Sequence, residues 1–285
     1  MRLLIQVING VAYGGLLYLM AAGLVLILGL RQVVNFAHGS LFMLGAYLTL
    51  SGVAYFGSFW LGLLLAVGVL AGVGVLLDLA VFQPLRDRDH TSTVLVTFGL
   101  LLVTESLAMR FWGKAFRNVT EPPLLSGTVS LFGSPFPVYR LFVVGVSIGM
   151  AGILWAWLRY TKLGLYVRAA SVDPSITAMQ GVNTDRLSYI VMAVGASLAG
   201  LAGVIASPLI ALSPSMGNTI LIEAFIVVVV GGLGSFAGAF FAAMAIGLVH
   251  NFGVIYVPWA ATMIPLLIMS AVLLLRPTGL AGTRT

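Results

Sequence analysis

The sequence predicts an all-α polytopic membrane bundle of about eight to nine spans, formed by a single transmembrane domain over residues 1–285. Hydrophobic residues make up 60% of the chain and charged residues only 8%, whereas about a quarter of the residues of a soluble domain are charged. No charged residue occurs between Leu3 and Leu30, a run longer than the roughly 20 residues of a spanning helix and longer than a signal-peptide core. The other apolar runs are long and continuous, which favours helices over the short alternating strands of a membrane barrel.

Nine apolar segments follow one another along the chain, separated by turn signals or charged patches. They are 5–30, 40–56, 60–82, 92–112, 138–158, 187–206, 219–231, 236–253 and 260–275. Several contain small residues four positions apart, a spacing that allows two helix backbones to approach closely but that also occurs by chance in glycine-rich membrane chains. These pairs are Gly10/Gly14, Gly68/Gly72 and Ala199/Gly203.

The distribution of basic residues predicts the orientation of the chain in the membrane. If 31–39, 83–92, 159–186 and the C-terminus are cytoplasmic, that side holds nine of the fourteen Lys and Arg residues. Cytoplasmic loops of membrane proteins carry such an excess. We therefore expect an N-terminus outside, an external loop at 113–137 and a cytoplasmic C-terminus.

The stretch "VVNFAHGSLFMLGAY", residues 33–47, places polar and helix-breaking residues between two apolar runs. It lies in a predicted broken segment over 31–56. A broken helix exposes backbone N–H and C=O groups, which in lipid must be satisfied by protein, water or a polar substrate. A helix beginning near Ser40 would direct its positive dipole end into the break, where a carboxylate or amide oxygen is favoured. A tight turn at the membrane surface is the alternative, and a histidine such as His38 is more often structural than a proton carrier.

A second predicted broken segment, over 219–253, contains "AFIVVVVGGLGSFAGAFFAAMAIG". Both breaks carry a Gly-Ser pair followed by small and aromatic residues. Glycine-interrupted hydrophobic segments in both halves of a chain indicate a transport site near the middle of the membrane, although an ordinary surface turn would give the same pattern. The predicted pathway residues are Asn35, His38, Gly39 and Ser40 in the first half, and Gly232, Gly234 and Ser235 in the second.

Three acidic residues lie within or near apolar runs, where a charge is costly and usually faces a cavity or a partner. Asp78 is expected to reach water at the cytoplasmic end of its helix. Glu105 is expected to pair with Arg110 or with a loop, and Glu223 to lie at a helix start, where the dipole favours it. They form no acidic pair or chain of the kind that would suggest a proton-coupled carrier.

The sequence predicts no catalytic residue, no metal site and no cofactor. It has no cysteine, and its three histidines lack metal-ligand spacing. Neither a Ser-His-Asp arrangement nor a phosphate-binding P-loop is present, so ATP, if it drives transport, must bind to another subunit. The isoelectric point near 9.9 is attributed to cytoplasmic loops rather than to nucleic-acid binding. A stand-alone secondary transporter remains the alternative to an ATP-driven one.

The loop 159–186 contains the signals of a short helix. Asp173 is a favoured N-cap residue, Pro174 suits the first helical position and Gly181 suits the left-handed position after the helix. Ile176 and Met179 would then give the helix a small apolar face for another protein. A plain connector is the alternative.

Five stretches together resemble the permease subunits of ATP-binding cassette importers for branched-chain amino acids, the LivH type. They are "NFAHGSLFMLGAY", "PLR" at 84–86, "GLYVRAASVDPSITAMQGVNTDR", "VVVVGGLGSFAGA" and "RPTGLAG". The resemblance implies import of leucine, isoleucine and valine across the cytoplasmic (inner) membrane of a bacterium or archaeon. Related permeases handle urea, short amides or other amino acids, so these solutes remain alternatives.

The resemblance also implies partners: a second permease subunit of the LivM type, two cytoplasmic ATPase subunits and an extracytoplasmic solute-binding protein. In this family the loop around Ala169, Ala170 and Gly181 corresponds to the segment that docks on the ATPase. We therefore expect ATPase contacts from that loop. The expected contact residues are Ala169, Ala170, Asp173, Pro174, Met179 and Gly181. Some family members carry an acid before the Asp-Pro pair, where this chain has Val172.

Overall fold

The computed structural model describes residues 2–86, 88–131 and 133–281, so the last four residues of the predicted domain, 282–285, lie outside the described part. The described residues form eleven α-helices and one two-stranded hairpin. The helices are α1 (Arg2–Arg31), α2 (His38–Phe56), α3 (Phe59–Leu77), α4 (His90–Trp112), α5 (Val138–Tyr160), α6 (Lys162–Val172), α7 (Pro174–Met179), α8 (Thr184–Ala206), α9 (Met216–Gly231), α10 (Phe236–Tyr256) and α11 (Ile264–Leu275). A π-helical turn, Asp78–Phe82, continues α3, and a 3₁₀ turn, Pro258–Ala260, precedes α11.

The helical membrane bundle predicted from the sequence is confirmed. Seven helices in the described part of the chain are long and apolar enough to cross a membrane: α1, α2, α3 with its π-helical turn, α4, α5, α8 and α10. Two shorter apolar helices, α9 and α11, complete the set. Each of the nine apolar segments of the sequence corresponds to one of these nine helices, whereas α6 and α7 lie in the polar loop 159–186.

Helix α1 is the centre of the bundle. Its middle residues, such as Leu17 and Met20, are fully buried, and it contacts α5, α8, α9 and α10. A Cβ atom on Gly14 would lie 2.7 Å from the carbonyl oxygen of Ala243 in α10, so the backbones of α1 and α10 are in direct contact there. Of the predicted small-residue pairs, the first packs against α10 and Gly203 of the third packs against α2, whereas Gly68 and Gly72 face open space.

The predicted external loop contains structure that the all-α prediction lacks. Two short strands, β1 (Thr128–Leu131) and β2 (Ser134–Pro137), pair antiparallel. Two backbone hydrogen bonds between Arg117 and Leu212, of 3.1 and 2.7 Å, join the same loop to the segment between α8 and α9. The sequence signal for strands is weak here, because each strand has only four residues and one of them contains two prolines.

Different polar side-chain contacts occur at the two ends of the bundle. At one end Arg31 pairs with Asp78 and Arg86 pairs with Asp185. Pro174 lines a cavity together with Arg31 and Arg86, so the three loops predicted to be cytoplasmic share this end. At the other end Asn251 donates to Gln6 (2.9 Å to the backbone oxygen), Arg140 donates to Asn9 and Trp112 donates to Ser51 (2.8 Å).

Candidate functional site

The segment between α1 and α2 begins at the surface and becomes buried from Asn35 to the start of α2 at His38, except for the half-buried Phe36. Backbone hydrogen bonds form a turn there, from His38 N–H to the Asn35 carbonyl (3.2 Å) and from Gly39 N–H to the Phe36 carbonyl (3.4 Å). The Phe36 N–H donates to the Thr97 hydroxyl of α4 at 3.3 Å. The break is therefore satisfied by protein groups, as irregular backbone at membrane depth must be.

The side chains of this turn carry unpaired polar atoms. Asn35 and His38 are fully buried. His38 Nε2 lies 3.1 Å from the carbonyl oxygen of Met20, in the interior of α1, and must carry the proton because a carbonyl only accepts. Among the residues that the structure describes, the other ring nitrogen of His38 and both side-chain amide atoms of Asn35 have no hydrogen-bond partner. Buried polar atoms without partners are rare in proteins and call for an explanation, such as a pathway that takes up water or solute in another state.

The start of α2 meets the start of α9. A Cβ atom on Gly217 would lie 2.5 Å from the carbonyl oxygen of Gly39, and a Cβ atom on Gly39 would overlap the carbonyl oxygen of Gly217. Only glycine at both positions permits this approach, and the neighbouring Ser40 is buried with it. Two helix N-termini, each carrying a partial positive charge, thus converge inside the bundle.

The second predicted break lies elsewhere. Gly232, Gly234 and Ser235 form the turn from α9 to α10, where the Ser235 hydroxyl caps α10 by accepting from Gly238 N–H at 3.0 Å. Gly234 is exposed and lines a cavity with Val25 and Gly29 near the end of α1. The structure therefore groups the four first-half residues in one buried turn, and the three second-half residues in a separate turn that is exposed at Gly234 and buried at Gly232. The pathway role of both sets stays a prediction.

Sequence reasoning missed the contact that the first turn makes with α9. The α9 residues at this contact, Met216 and Gly217, follow the polar stretch "SPS" at 213–215. That stretch separates the apolar runs 187–206 and 219–231, just as the first break separates two apolar runs. The Pro-Ser signal was available, but the resemblance between the two Gly-Ser pairs pointed to the α9–α10 turn.

The loop 159–186 forms the short helix that its signals predict. Helix α7 begins at Pro174, and Asp173 Oδ1 accepts from the backbone N–H groups of Ser175 (2.8 Å) and Ile176 (2.9 Å). Gly181 has φ +83°, the left-handed conformation that favours glycine. Local capping chemistry is thus sufficient to define this element.

Helices α6 and α7 present apolar side chains outward. Met179 is 84% exposed and Ile176 58%, while Ala169 is also exposed and Ala170 is buried against the bundle. Large exposed apolar side chains on a polar loop, outside the apolar spans, indicate a protein-binding surface. Val172, at the position where some relatives carry an acid, is 85% exposed at the same surface.

Asp78 does not reach water, contrary to the expectation from sequence. Its side chain is fully buried, and its Oδ1 accepts from Arg31 Nε (3.1 Å), from Arg31 Nη2 and from the Ser188 hydroxyl (2.9 Å). The π-helical turn begins at this residue, and such turns are frequent at functional sites. The difference arises from tertiary packing, because Arg31 at the end of α1 and Ser188 near the start of α8 enclose the carboxylate.

Glu223 and Glu105 have different surroundings. Glu223 lies two turns into α9 and accepts a hydrogen bond from the Tyr13 hydroxyl of α1, so a side-chain partner rather than the helix start accounts for it. Glu105 forms no ion pair within the described part of the chain, with Arg110 or with a loop. No cluster of three His, Asp or Glu side chains occurs among residues 2–86, 88–131 and 133–281 that could hold a metal ion.

Comparison with known proteins identifies the family of this chain. The family described as branched-chain amino acid transport system / permease component matches residues 6–275. The high-affinity branched-chain amino acid transport system permease protein LivH of Escherichia coli (strain K12) is 25% identical over 97% of this chain and 94% of its own length. A probable LivH of Methanocaldococcus jannaschii is 27% identical over 96% and 91%. A solved structure, PsaBC from Streptococcus pneumoniae in complex with Fab, has the same fold over 94% of this chain and 89% of its own, with a TM-score of 0.50 at 13% identity.

Proposed function

The chain belongs to the family of branched-chain amino acid transport permease components, and from this premise we propose that it is the membrane subunit of an ATP-binding cassette importer for leucine, isoleucine and valine. The observation that carries the proposal is the family match over residues 6–275, nearly the whole chain. The chain is a multi-pass transport subunit rather than an enzyme. The names of both LivH relatives support the branched-chain solutes.

ATP hydrolysis takes place in partner subunits. The chain has no P-loop sequence, so its contribution is to receive the motion of an ATPase. Helix α7 suits this role because it is capped at Asp173, ends before Gly181 and exposes Ile176 and Met179. An apolar knob of this kind fits a groove on a partner, as in other helix-in-groove contacts.

The pathway begins at the end of the bundle opposite α7. In the proposed orientation the N-terminus and the 113–137 loop face the extracytoplasmic side, where a solute-binding protein delivers the amino acid. A second permease subunit completes the pathway. Asn35, His38 and the Gly39–Gly217 contact form a closed constriction that opens when the ATPases move α7.

Uptake into proteoliposomes tests this function. The chain is reconstituted with its second permease, the ATPases and the binding protein, and ATP-dependent uptake of leucine is measured. We expect uptake that requires ATP and the binding protein, and that is lost when Gly181 and the Asp173–Pro174 pair are replaced by alanine. The control variant, Gly68→Ala with Gly72→Ala, adds methyl groups that meet open space and should keep uptake.

The alternatives give distinct results in the same assay. Uptake without ATPases or binding protein would identify a stand-alone facilitator and refute the coupling role of α7. ATP-dependent uptake of urea or short amides but not of leucine would retain the importer and replace its solute.

A further inference from the structure

A cavity of about 470 Å³ opens between α1, α2, α5, α9 and α10. Its volume is within the usual range of small-molecule sites, about 300–1,000 Å³. It lies at the end of the bundle that contains Arg140, in the first turn of α5, and Asn251, near the end of α10. The cavity is separate from the α9–α10 turn and from the loop that carries α7.

One part of the cavity wall is polar and carries a positive charge. Arg140 donates to the amide oxygen of Asn9, and within the described residues it forms no ion pair. A guanidinium has five N–H donors, so one hydrogen bond leaves most of its donors for a ligand. Carboxylates are the small organic groups that match this fork most closely.

A second polar group, Tyr13, lies on the same face of α1, one turn from the Asn9 that Arg140 contacts. The hydroxyl of Tyr13, which lines the cavity, donates its proton to Glu223. The oxygen of Tyr13 can then only accept from a ligand, and the carboxylate behind it attracts positive charge. The ring of Tyr13 stacks on His250 with the centroids 4.7 Å apart, which fixes its position.

The rest of the wall is aliphatic and aromatic. Leu16, Phe42, Leu209 and Ile220 contribute to it, from α1, α2, the segment after α8, and α9. Phe42 and Ile220 each lie one turn beyond the glycine contact between α2 and α9. The cavity floor is thus the same junction at which the two helix starts converge, and a ligand held there would rest directly on the constriction.

We propose that this cavity is a transient binding site for a free aliphatic α-amino acid, with the carboxylate on Arg140, the ammonium beside Tyr13 and the side chain against Phe42 and Ile220. The site rests on the proposed import function and specifies where within the permease the solute is held after it leaves the binding protein. The proposed site also gives the permease itself a selectivity for amino acids. Its cationic group, hydrogen-bond acceptor and apolar wall match the carboxylate, ammonium and side chain of an aliphatic amino acid.

The absence of native cysteine makes the site directly testable. Ile210 lines the cavity and is 40% exposed, whereas Leu124 is in the 113–137 loop, is 81% exposed and does not line the cavity. Each is replaced by cysteine in the full transporter, purified in detergent without binding protein, and the rate of modification by a water-soluble maleimide is measured with and without L-leucine. At a leucine concentration of about twice its dissociation constant, occupancy slows modification about threefold. We expect this protection for Ile210→Cys and none for Leu124→Cys.

Two analogues and one variant test the assigned contacts. L-Leucinamide lacks the carboxylate and 4-methylpentanoate lacks the ammonium, so neither should protect Ile210→Cys at the concentration at which leucine does. In Ile210→Cys with Arg140→Gln, the preference for leucine over leucinamide should disappear. A structural defect alone would change the modification rate without ligand but would not selectively remove this preference.

The outcomes separate the site from the import function. If the complete transporter takes up leucine but leucine does not protect Ile210→Cys, the site is overturned and the import function stands. The same conclusion follows if leucine protects both cysteines equally. Protection that survives Arg140→Gln overturns the assigned carboxylate contact. Protection of Ile210→Cys alone, without ATP-driven leucine uptake, supports the site and overturns leucine import as the function.

Discussion

Replacement of Asp78 by asparagine should destabilise the protein far more than any exposed charge change. Asp78 is fully buried, and Arg31, its partner, is only 12% exposed. Asparagine keeps the shape of the side chain but leaves the guanidinium without a counter-charge. Loss of one partner from a buried ion pair costs about 3–5 kcal/mol. At about 2–4 °C per kcal/mol this corresponds to a fall in melting temperature of roughly 6–20 °C.

The second ion pair of the described residues supplies the matched control. Arg86 and Asp185 are 52% and 55% exposed at the same end of the bundle, and an exposed pair contributes only about 0–1 kcal/mol. Asp185→Asn should therefore shift the melting temperature by at most roughly 4 °C. Because an apolar pair can replace a buried ion pair at little cost, the double variant Arg31→Met/Asp78→Leu should recover most of the loss.

The assay is thermal unfolding of the purified permease in detergent. The fraction that stays monodisperse after heating is measured by size-exclusion chromatography at each temperature. The reasoning is refuted if Asp78→Asn unfolds at the same temperature as Asp185→Asn. It is also refuted if the double variant is less stable than Asp78→Asn, since the cost would then not arise from an unpaired buried charge.

Three further changes have defined outcomes. Gly39→Ala should reduce the yield of folded protein in detergent, because its methyl group overlaps the backbone of α9, whereas Gly68→Ala meets open space and should be neutral or slightly stabilising. Asp173→Ala removes two capping hydrogen bonds and about 1 kcal/mol from α7, so ATP-dependent uptake should fall while binding of solute to the binding protein is unchanged. Met179→Ser should weaken co-purification of the ATPases by about tenfold or more, the scale of one fully buried side chain, and Leu124→Ser, which is similarly exposed in the opposite loop, should not.

The elements that sequence predicted best are those encoded locally. The start of α7 depends on one side chain that caps it and on one proline, and its end on one glycine, all within nine residues, so reading the residues was sufficient. The membrane helices were predicted for the same reason, since each is a continuous apolar run. The hairpin at 128–137 was missed because two four-residue strands give no such run.

The contacts between distant elements could not be predicted in this way. Nothing in the sequence near Gly39 indicates that Gly217 faces it, because that pairing depends on how α2 and α9 pack in three dimensions. The same applies to Asp78, whose partner Arg31 is 47 positions away. The position of Asp78 at the end of an apolar run predicts that its side chain reaches water. The buried pair with Arg31 is evident only from the packing of α1 and α8 around the carboxylate.

The Arg31–Asp78 pair connects the two parts of the candidate site. Pro174, at the start of α7, lines a cavity with Arg31 and Ser188, and Ser188 donates to the same carboxylate oxygen as Arg31. Arg31 is also the last residue of α1, directly before the turn that holds Asn35 and His38. A displacement of α7 by an ATPase would therefore act on a buried ionic contact that has few alternative arrangements, and through it on the turn at the α2–α9 junction. Helix α7 also contacts α8, which carries Ser188, and contiguous contacts of this kind can carry coupling between distant sites. Ser188→Ala removes one hydrogen-bond donor but leaves the ion pair, so it should lower the rate of ATP-driven uptake with little change in the melting temperature. A fall in uptake that is accompanied by a large fall in melting temperature would show that the cluster is only structural.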